Sequence, residues 1–75
     1  MVFMTDYDLG LSPMHRILKK AGAERVSEEA AEELRKALES IGEKIATNAL
    51  DFTKHAGRKT VKSEDIQIAV KRLLQ

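Results

Sequence analysis

The side chains best suited to chemistry in this sequence are basic residues that gather in two short segments. Residues 15–25 carry four lysines or arginines against one glutamate, a net charge of +3. Residues 58–62 carry three basic residues and no acid, again +3. Residues 28–56, between them, carry seven acids against four basic residues, a net charge of −3. Because guanidinium and ammonium groups pair with phosphates, this distribution predicts that a polyanion binds at the two basic segments.

No arrangement of side chains in the sequence is suited to catalysis. The two histidines, His15 and His55, lie 40 residues apart, which is not a metal-ligand spacing. No glycine-rich loop follows a strand pattern, so nothing predicts a nucleotide site. The chain has no cysteine, which excludes thiolate metal sites and is typical of a cytoplasmic protein. We therefore expect no catalytic residue, metal, cofactor or small-molecule substrate, and no enzyme.

The segment between the two basic segments is predicted to be one long amphipathic helix over residues 28–56. Its apolar side chains recur every three or four residues. Ser27 suits the N-cap, with acids in the first turn, and Gly57 suits a left-handed exit. The apolar positions are Leu34, Leu38, Ile41, Ile45, Ala49, Phe52 and Ala56.

The length of this helix predicts a dimer. At 1.5 Å per residue it would be roughly 43 Å long. A compact monomer of 75 residues is only about 30 Å across. The apolar stripe would therefore overhang the monomer at both ends, and a second chain crossing it would cover it. We therefore expect an obligate dimer. No apolar run approaches the ~20 residues of a membrane span, so we expect no membrane segment.

Shorter helices are predicted on either side of the long one. Ser12-Pro13 opens the first helix and Gly22 ends it. Ser63 is the predicted N-cap of the last helix, with two acids in the first turn. Residues 1–11 show no clear period and are interpreted as an N-terminal extension, so the folded domain covers residues 12–75. The expected fold class is all-α: short helix, loop, long helix, loop, short helix.

Two loop segments resemble a known family. Residues 21–27, AGAERVS, and residues 55–66, HAGRKTVKSEDI, are similar to the two loop signatures of archaeal histones. The similarity runs without gaps from about Pro13 to Leu73. It implies the histone fold, in which the long helices of two chains cross in an intertwined handshake dimer. It also implies a chromosome-associated protein that binds double-stranded DNA without sequence specificity, wraps and compacts it.

The resemblance implies a DNA contact for several residues. Arg16 would contact a phosphate near the start of the first helix, and Arg25 would reach into the minor groove from the first loop. Lys59 and Thr60 would contact the DNA backbone from the second loop. The remaining predicted backbone contacts are Lys19 and Lys62.

The resemblance also implies protein contacts. Phe52 and His55 match positions at which dimers join into tetramers and longer arrays through a four-helix bundle. There His55 of one dimer would face Asp65 of the other, with Ile68 as an apolar neighbour. Arg58 and Asp65 are also expected to form a structural ion pair within one chain.

Alternatives stay open at this point. A variant that terminates arrays is one alternative. Asp51, where a basic residue often helps to hold DNA, and the N-terminal extension leave it open, whereas Phe52, His55 and Asp65 argue against it. A histone-fold interaction subunit of a transcription-factor-like heterodimer is a second alternative, although Arg25, Lys59 and Thr60 favour DNA. The partner in the dimer is either a second copy of the chain or a paralogue.

Overall fold

The protein has three helices in the predicted order. The computed structural model describes residues 9–74, and within that range there is no strand. The chain divides into two compact units inside the long helix, between Glu39 and Ser40. The helices are α1, Leu11–Lys20, α2, Glu28–His55, and α3, Ser63–Leu74.

The first helix begins one residue earlier than predicted. Gly10, with extended backbone, is the N-cap, and no side chain caps the helix. Ser12 therefore lies inside α1 rather than at its start. Pro13 still falls in the first turn, where its missing N–H has no partner to lose. Met14 is the buried residue of this helix.

Capping residues fix both ends of α2. The Ser27 hydroxyl accepts the Ala30 N–H at 3.0 Å, so Ser27 acts as the predicted N-cap. At the other end Gly57 has a φ of 72°. Its N–H donates to the Lys54 carbonyl at 2.9 Å, and the Arg58 N–H donates to the Thr53 carbonyl at 3.1 Å. This is the Schellman motif, and it ends the helix one residue before the predicted limit.

Few large apolar side chains are buried by the chain itself. The apolar stripe of α2 is covered only in part, since Ile41 is 42% exposed while Leu38 and Ile45 are half-buried. Thr53 and Asp65 are the buried polar side chains within residues 9–74. Among the described residues the buried apolar side chains are Met14, Ala31, Ala49 and Ala69. Large apolar side chains left exposed are Leu9, Ile17, Ile41, Leu50, Val61, Ile66, Ile68 and Leu74.

The predicted N-terminal extension, residues 1–11, lies mostly outside the described residues, which exclude 1–8. Of its last three residues, Leu11 belongs to α1. The Leu9 N–H donates to Glu39 Oε2 at 2.9 Å, which ties the chain just before α1 to the long helix.

Candidate nucleic-acid interface

A buried carboxylate organises the loop between α2 and α3. Asp65, in the first turn of α3, is 2% exposed. Arg58 binds it with two parallel hydrogen bonds of 3.0 Å, Nη1 to Oδ2 and Nη2 to Oδ1. The Lys62 backbone N–H donates to Oδ2 at 2.9 Å and the Thr53 hydroxyl at 2.8 Å. This set of donors is what allows a charged group to be buried at this position.

These hydrogen bonds shift the pKa values of both charged groups. Arg58, then the Lys62 N–H and the Thr53 hydroxyl, hold the pKa of the Asp65 carboxyl well below its usual range. The hydrogen bonds that Arg58 donates to Asp65 also raise the pKa of Arg58. Because the carboxyl pKa is depressed by folding, its stabilising effect is complete above the usual value of about 3.9 and is lost as the pH falls below it.

The same carboxylate caps α3. Lys62 precedes the helix, and its carbonyl accepts the N–H groups of Asp65 at 3.0 Å and Ile66 at 3.3 Å. Its own N–H donates to the Asp65 carboxylate, which is the half of a capping box that the third residue of a helix supplies. The prediction that Ser63 is the N-cap is wrong, because Ser63 is the first residue of the helix. An aspartate two residues further on does the capping instead.

The second loop therefore has both ends fixed by hydrogen bonds. Gly57 sets the exit from α2. Arg58 Nη1 donates to the Thr60 carbonyl at 2.9 Å in addition to binding the carboxylate. Lys59, Thr60 and Val61 lie between these fixed points and are all exposed. The loop thus presents an ammonium and a hydroxyl to solvent from a backbone that its own side chains hold in place.

The first loop is closed in a comparable way. Gly22 has a φ of 112°, and a second Schellman motif ends α1 with the Ala23 N–H on the Leu18 carbonyl at 3.1 Å. Lys19 Nζ donates to the Glu24 carbonyl at 2.6 Å. Arg25 follows this turn and is exposed. The loop therefore displays a guanidinium from an ordered turn.

Lys19 has a role that its sequence prediction did not include. It is predicted to contact the DNA backbone, and its ammonium already holds the Glu24 carbonyl of its own loop. An ammonium has three N–H groups, so two remain for a phosphate. The sequence does indicate this role, because Lys19 lies in the last turn of α1, where basic side chains often bind carbonyls beyond the helix end.

The predicted DNA contacts fall into one set in each compact unit. All six side chains are exposed. The unit that ends at Glu39 contains Arg16, Lys19 and Arg25, and the unit that starts at Ser40 contains Lys59, Thr60 and Lys62.

The residues predicted to join dimers lie in the second unit. Phe52 is half-buried, and the Arg72 guanidinium lies over its ring, 4.9 Å from the centroid. His55 Nδ1 lies 2.9 Å from the Asp51 carbonyl. Ile68 is 44% exposed. An aromatic ring and an aliphatic side chain are thus available on this unit for contact with another molecule.

Asp65, the predicted partner of a facing His55, is bound within its own chain. Its Oδ2 accepts three donors and its Oδ1 accepts one, from Arg58. Only Oδ1 keeps a lone pair for a further donor. The contact with His55 of another dimer stays a prediction.

Thr53 is the structural residue that sequence reasoning missed. The apolar period of α2 includes Phe52 and Ala49 but passes over this threonine. Its hydroxyl lies 2.8 Å from Asp65 Oδ2 and 2.9 Å from the Ala49 carbonyl. The single hydroxyl proton goes to the carboxylate, which is the stronger acceptor. Its position in the sequence could have indicated burial, because Thr53 comes four residues after buried Ala49 and so lies on the same face of the helix.

We expect Thr53→Val to lower the free energy of unfolding by about 1–3 kcal/mol, because the valine leaves a buried carboxylate with one donor fewer. Thr47→Val is the matched control, since the Thr47 hydroxyl donates to the Glu43 carbonyl at 2.9 Å on an exposed part of the same helix. That variant should change stability by under ~0.5 kcal/mol. Chemical denaturation measures both, and equal losses would argue against the role given to Thr53.

Other kinds of site find no support in the part of the chain that the structure describes. Residues 9–74 contain no group of three or more histidine, cysteine or acidic side chains able to hold a metal ion. None of the helices in this range combines the length and the hydropathy that a membrane crossing requires.

Comparisons with known proteins agree on one family. Residues 8–70 match the family model described as histone-like transcription factor (CBF/NF-Y) and archaeal histone. The chain is 50% identical over 64 residues to an archaeal histone of Thermococcus zilligii named HAN1, and the match covers 85% of this chain and 96% of that protein. It is 52% identical over 64 residues to probable archaeal histone 3 of Methanocaldococcus jannaschii, with the same two shares.

A more distant similarity extends to a eukaryotic protein. The major histone H4 of Tetrahymena pyriformis is 34% identical over 59 residues, which are 79% of this chain and 57% of that histone. The family model spans most of the chain. The three helices of the chain, which are short, long and short in order, are those predicted for the histone fold. The chain therefore belongs to the family of histone-like transcription factors and archaeal histones, and it is a DNA-binding chromatin protein with the histone fold.

Proposed function

We propose that the protein binds double-stranded DNA without sequence specificity, as a dimer, and wraps and compacts it. The dimer is formed with a second copy of the chain or with a paralogue, and dimers join on DNA into longer arrays. The protein acts as a packaging component of the chromosome in the cytoplasm and catalyses no reaction.

The observation that carries the proposal is the construction of the second loop. An ion pair between half-buried Arg58 and buried Asp65 fixes this loop and leaves Lys59 and Thr60 exposed. An ammonium, a hydroxyl and backbone N–H groups suit phosphate oxygens, and contacts to phosphate carry no sequence information. A binding mode dominated by phosphate contacts is independent of sequence.

The exposed apolar side chains support the dimer. Ile41, near the middle of α2, is 42% exposed, and Val61 in the second loop is 43% exposed. Apolar surface left in contact with water costs about 25 cal/mol for each Å². A second chain that crosses α2 would cover these side chains, which agrees with the argument from helix length.

The proposal predicts a strong dependence of DNA affinity on salt and a contribution to it from Arg16. Arg16, Arg25 and Lys59 supply at least three phosphate or groove contacts per chain, and so about six per dimer. At about 0.9 per neutralised phosphate, a plot of log affinity against log salt should have a slope near −5. Arg16→Ala removes two contacts per dimer and should reduce the slope by about 2. Binding isotherms on one duplex at several salt concentrations measure both values.

The control for this experiment is Lys44→Ala. Lys44 is an exposed lysine of α2 outside both loops, and its removal changes the net charge by the same amount. It should leave the slope within about 1 of wild type. If the two variants changed the slope equally, the contacts would not be located where we place them. A wild-type slope near zero would favour a histone-fold interaction subunit.

A further inference from the structure

A groove adjoins the predicted junction residues of the second unit. It has a volume of about 380 Å³ and is lined by Asn48, Asp51, Phe52, His55 and Arg72. The groove therefore places one acid and one arginine beside the aromatic ring and the histidine that are predicted to join dimers.

Neither charged side chain of this groove has an ionic partner among residues 9–74. The ion pairs found there are Lys36 with Glu33 and Arg58 with Asp65. Asp51 and Arg72 are both exposed, and the Asp51 carbonyl, not its carboxylate, is the group that His55 contacts. An acid and a base that line one groove without pairing are both available to another molecule.

The contact with Phe52 orients Arg72 for such a partner. Its guanidinium lies over the ring, 4.9 Å from the centroid. A cation–π contact takes up no carboxylate-type hydrogen bond, so the N–H donors of the guanidinium remain available to an acceptor. Those donors are the groups that bind a carboxylate with two parallel hydrogen bonds.

We propose that Asp51 of one dimer pairs with Arg72 of the facing dimer, twice across each dimer–dimer junction. This inference rests on the proposed function, in which dimers join into arrays, and on the predicted junction at Phe52 and Ile68. A junction between identical surfaces has two-fold symmetry, so a contact of one residue with another is always repeated in reverse. A groove with an acid and a base is complementary to its own copy in that arrangement, whereas two lysines or two aspartates would repel. The pairing also accounts for an acid at position 51, where the resemblance leads one to expect a basic residue.

Charge reversal tests the pairing. On DNA of mixed sequence, nuclease protection should show footprints that lengthen stepwise as the concentration of dimer rises. Asp51→Arg and Arg72→Asp should each raise the concentration needed for the second and later footprints by about tenfold, because each places like charges opposite one another twice. The double variant, Asp51→Arg with Arg72→Asp, should return that concentration to within about threefold of wild type.

Matched controls separate the pairing from a general effect of charge on DNA binding. Glu43→Arg makes the same change as Asp51→Arg at an exposed acid of α2 outside this groove, and Lys71→Asp makes a comparable change beside Arg72. Both controls should leave the concentration for later footprints within about 1.5-fold of wild type. If Arg72→Asp does not fold, Asp51→Asn and Arg72→Gln should give smaller shifts in the same direction, about threefold each.

Absence of rescue in the double variant, or equal shifts in the controls, would overturn the pairing. Ile68→Lys distinguishes this failure from that of the proposed function. If Ile68→Lys abolishes the later footprints while both reversals leave them unchanged, the pairing is wrong and the junction stands. If all variants including Ile68→Lys give the wild-type pattern, the junction itself is wrong.

Discussion

Ile68→Lys should reduce the stepwise nuclease pattern to one short footprint. Ile68 is 44% exposed on α3, in the same unit as Phe52, and the proposed junction would bury it. A lysine at its centre would place a charge without a partner in an apolar contact, which costs several kcal/mol in each copy. Since 1.4 kcal/mol is a factor of ten in an equilibrium, association of dimers should be lost over the accessible concentration range.

Gln67→Lys is the control for this prediction. It adds the same cation to the same helix at an exposed neighbouring position, and its footprints should lengthen as in wild type. Ile68→Ala should give an intermediate pattern, because it removes apolar area without adding charge. Circular dichroism and sedimentation of the free protein should show that all three variants are folded dimers. A wild-type pattern from folded Ile68→Lys would show that the junction lies on another face.

The second large effect concerns the dimer itself. We expect folding and dimerisation to be one transition, so the melting temperature should rise with protein concentration. With an unfolding enthalpy of about 0.7 kcal/mol per residue, two chains of 75 residues should give roughly 100 kcal/mol. A hundredfold increase in concentration should then raise the melting temperature by about 10 °C.

The physical reason is the small core of the chain. Apart from Met14, the buried apolar side chains among the described residues are alanines, whose burial stabilises little. A chain of this size needs more apolar burial than that to fold alone. Calorimetry or circular dichroism over a hundredfold range of concentration measures the shift. A melting temperature that does not change would mean that the single chain is stable and that the exposed stripe has another purpose.

The helices were predictable because their signals are local. Ser27 caps α2 through a hydrogen bond to a residue three positions away, and Gly22 and Gly57 take left-handed conformations at the two helix exits. Capping and turn chemistry depend on neighbours in the sequence, so composition and spacing are enough to place these ends to within a residue or two.

The construction of the second loop was less accessible from the sequence. Its ion pair, Arg58 with Asp65, came from the resemblance and not from the residue pattern. The participation of Thr53, 12 residues away from Asp65, was not predicted. Such a bond depends on how α2 and α3 pack, which no local pattern records. The cap at the start of α3 was misassigned to Ser63 for a related reason: a serine and an aspartate there can each cap the helix, and the ion pair with Arg58 favours the aspartate.

Arg72 illustrates a different limit. Its place in the last turn of α3 indicates only a favourable interaction with the helix dipole. Its contact with Phe52 joins two helices and becomes visible only when both are placed. The groove forms only where the two helices pack together. The sequence therefore shows which side chains are present but not that they line one groove.

Binding without sequence specificity can be measured as the affinity of the wild-type protein for two duplexes of equal length and unrelated sequence, each over a series of salt concentrations. We expect equal affinities within about threefold and parallel salt dependences with slopes near −5, because phosphate contacts from the two loops dominate binding. A preference of a hundredfold or more for one duplex, or a slope near zero on both, would contradict this expectation.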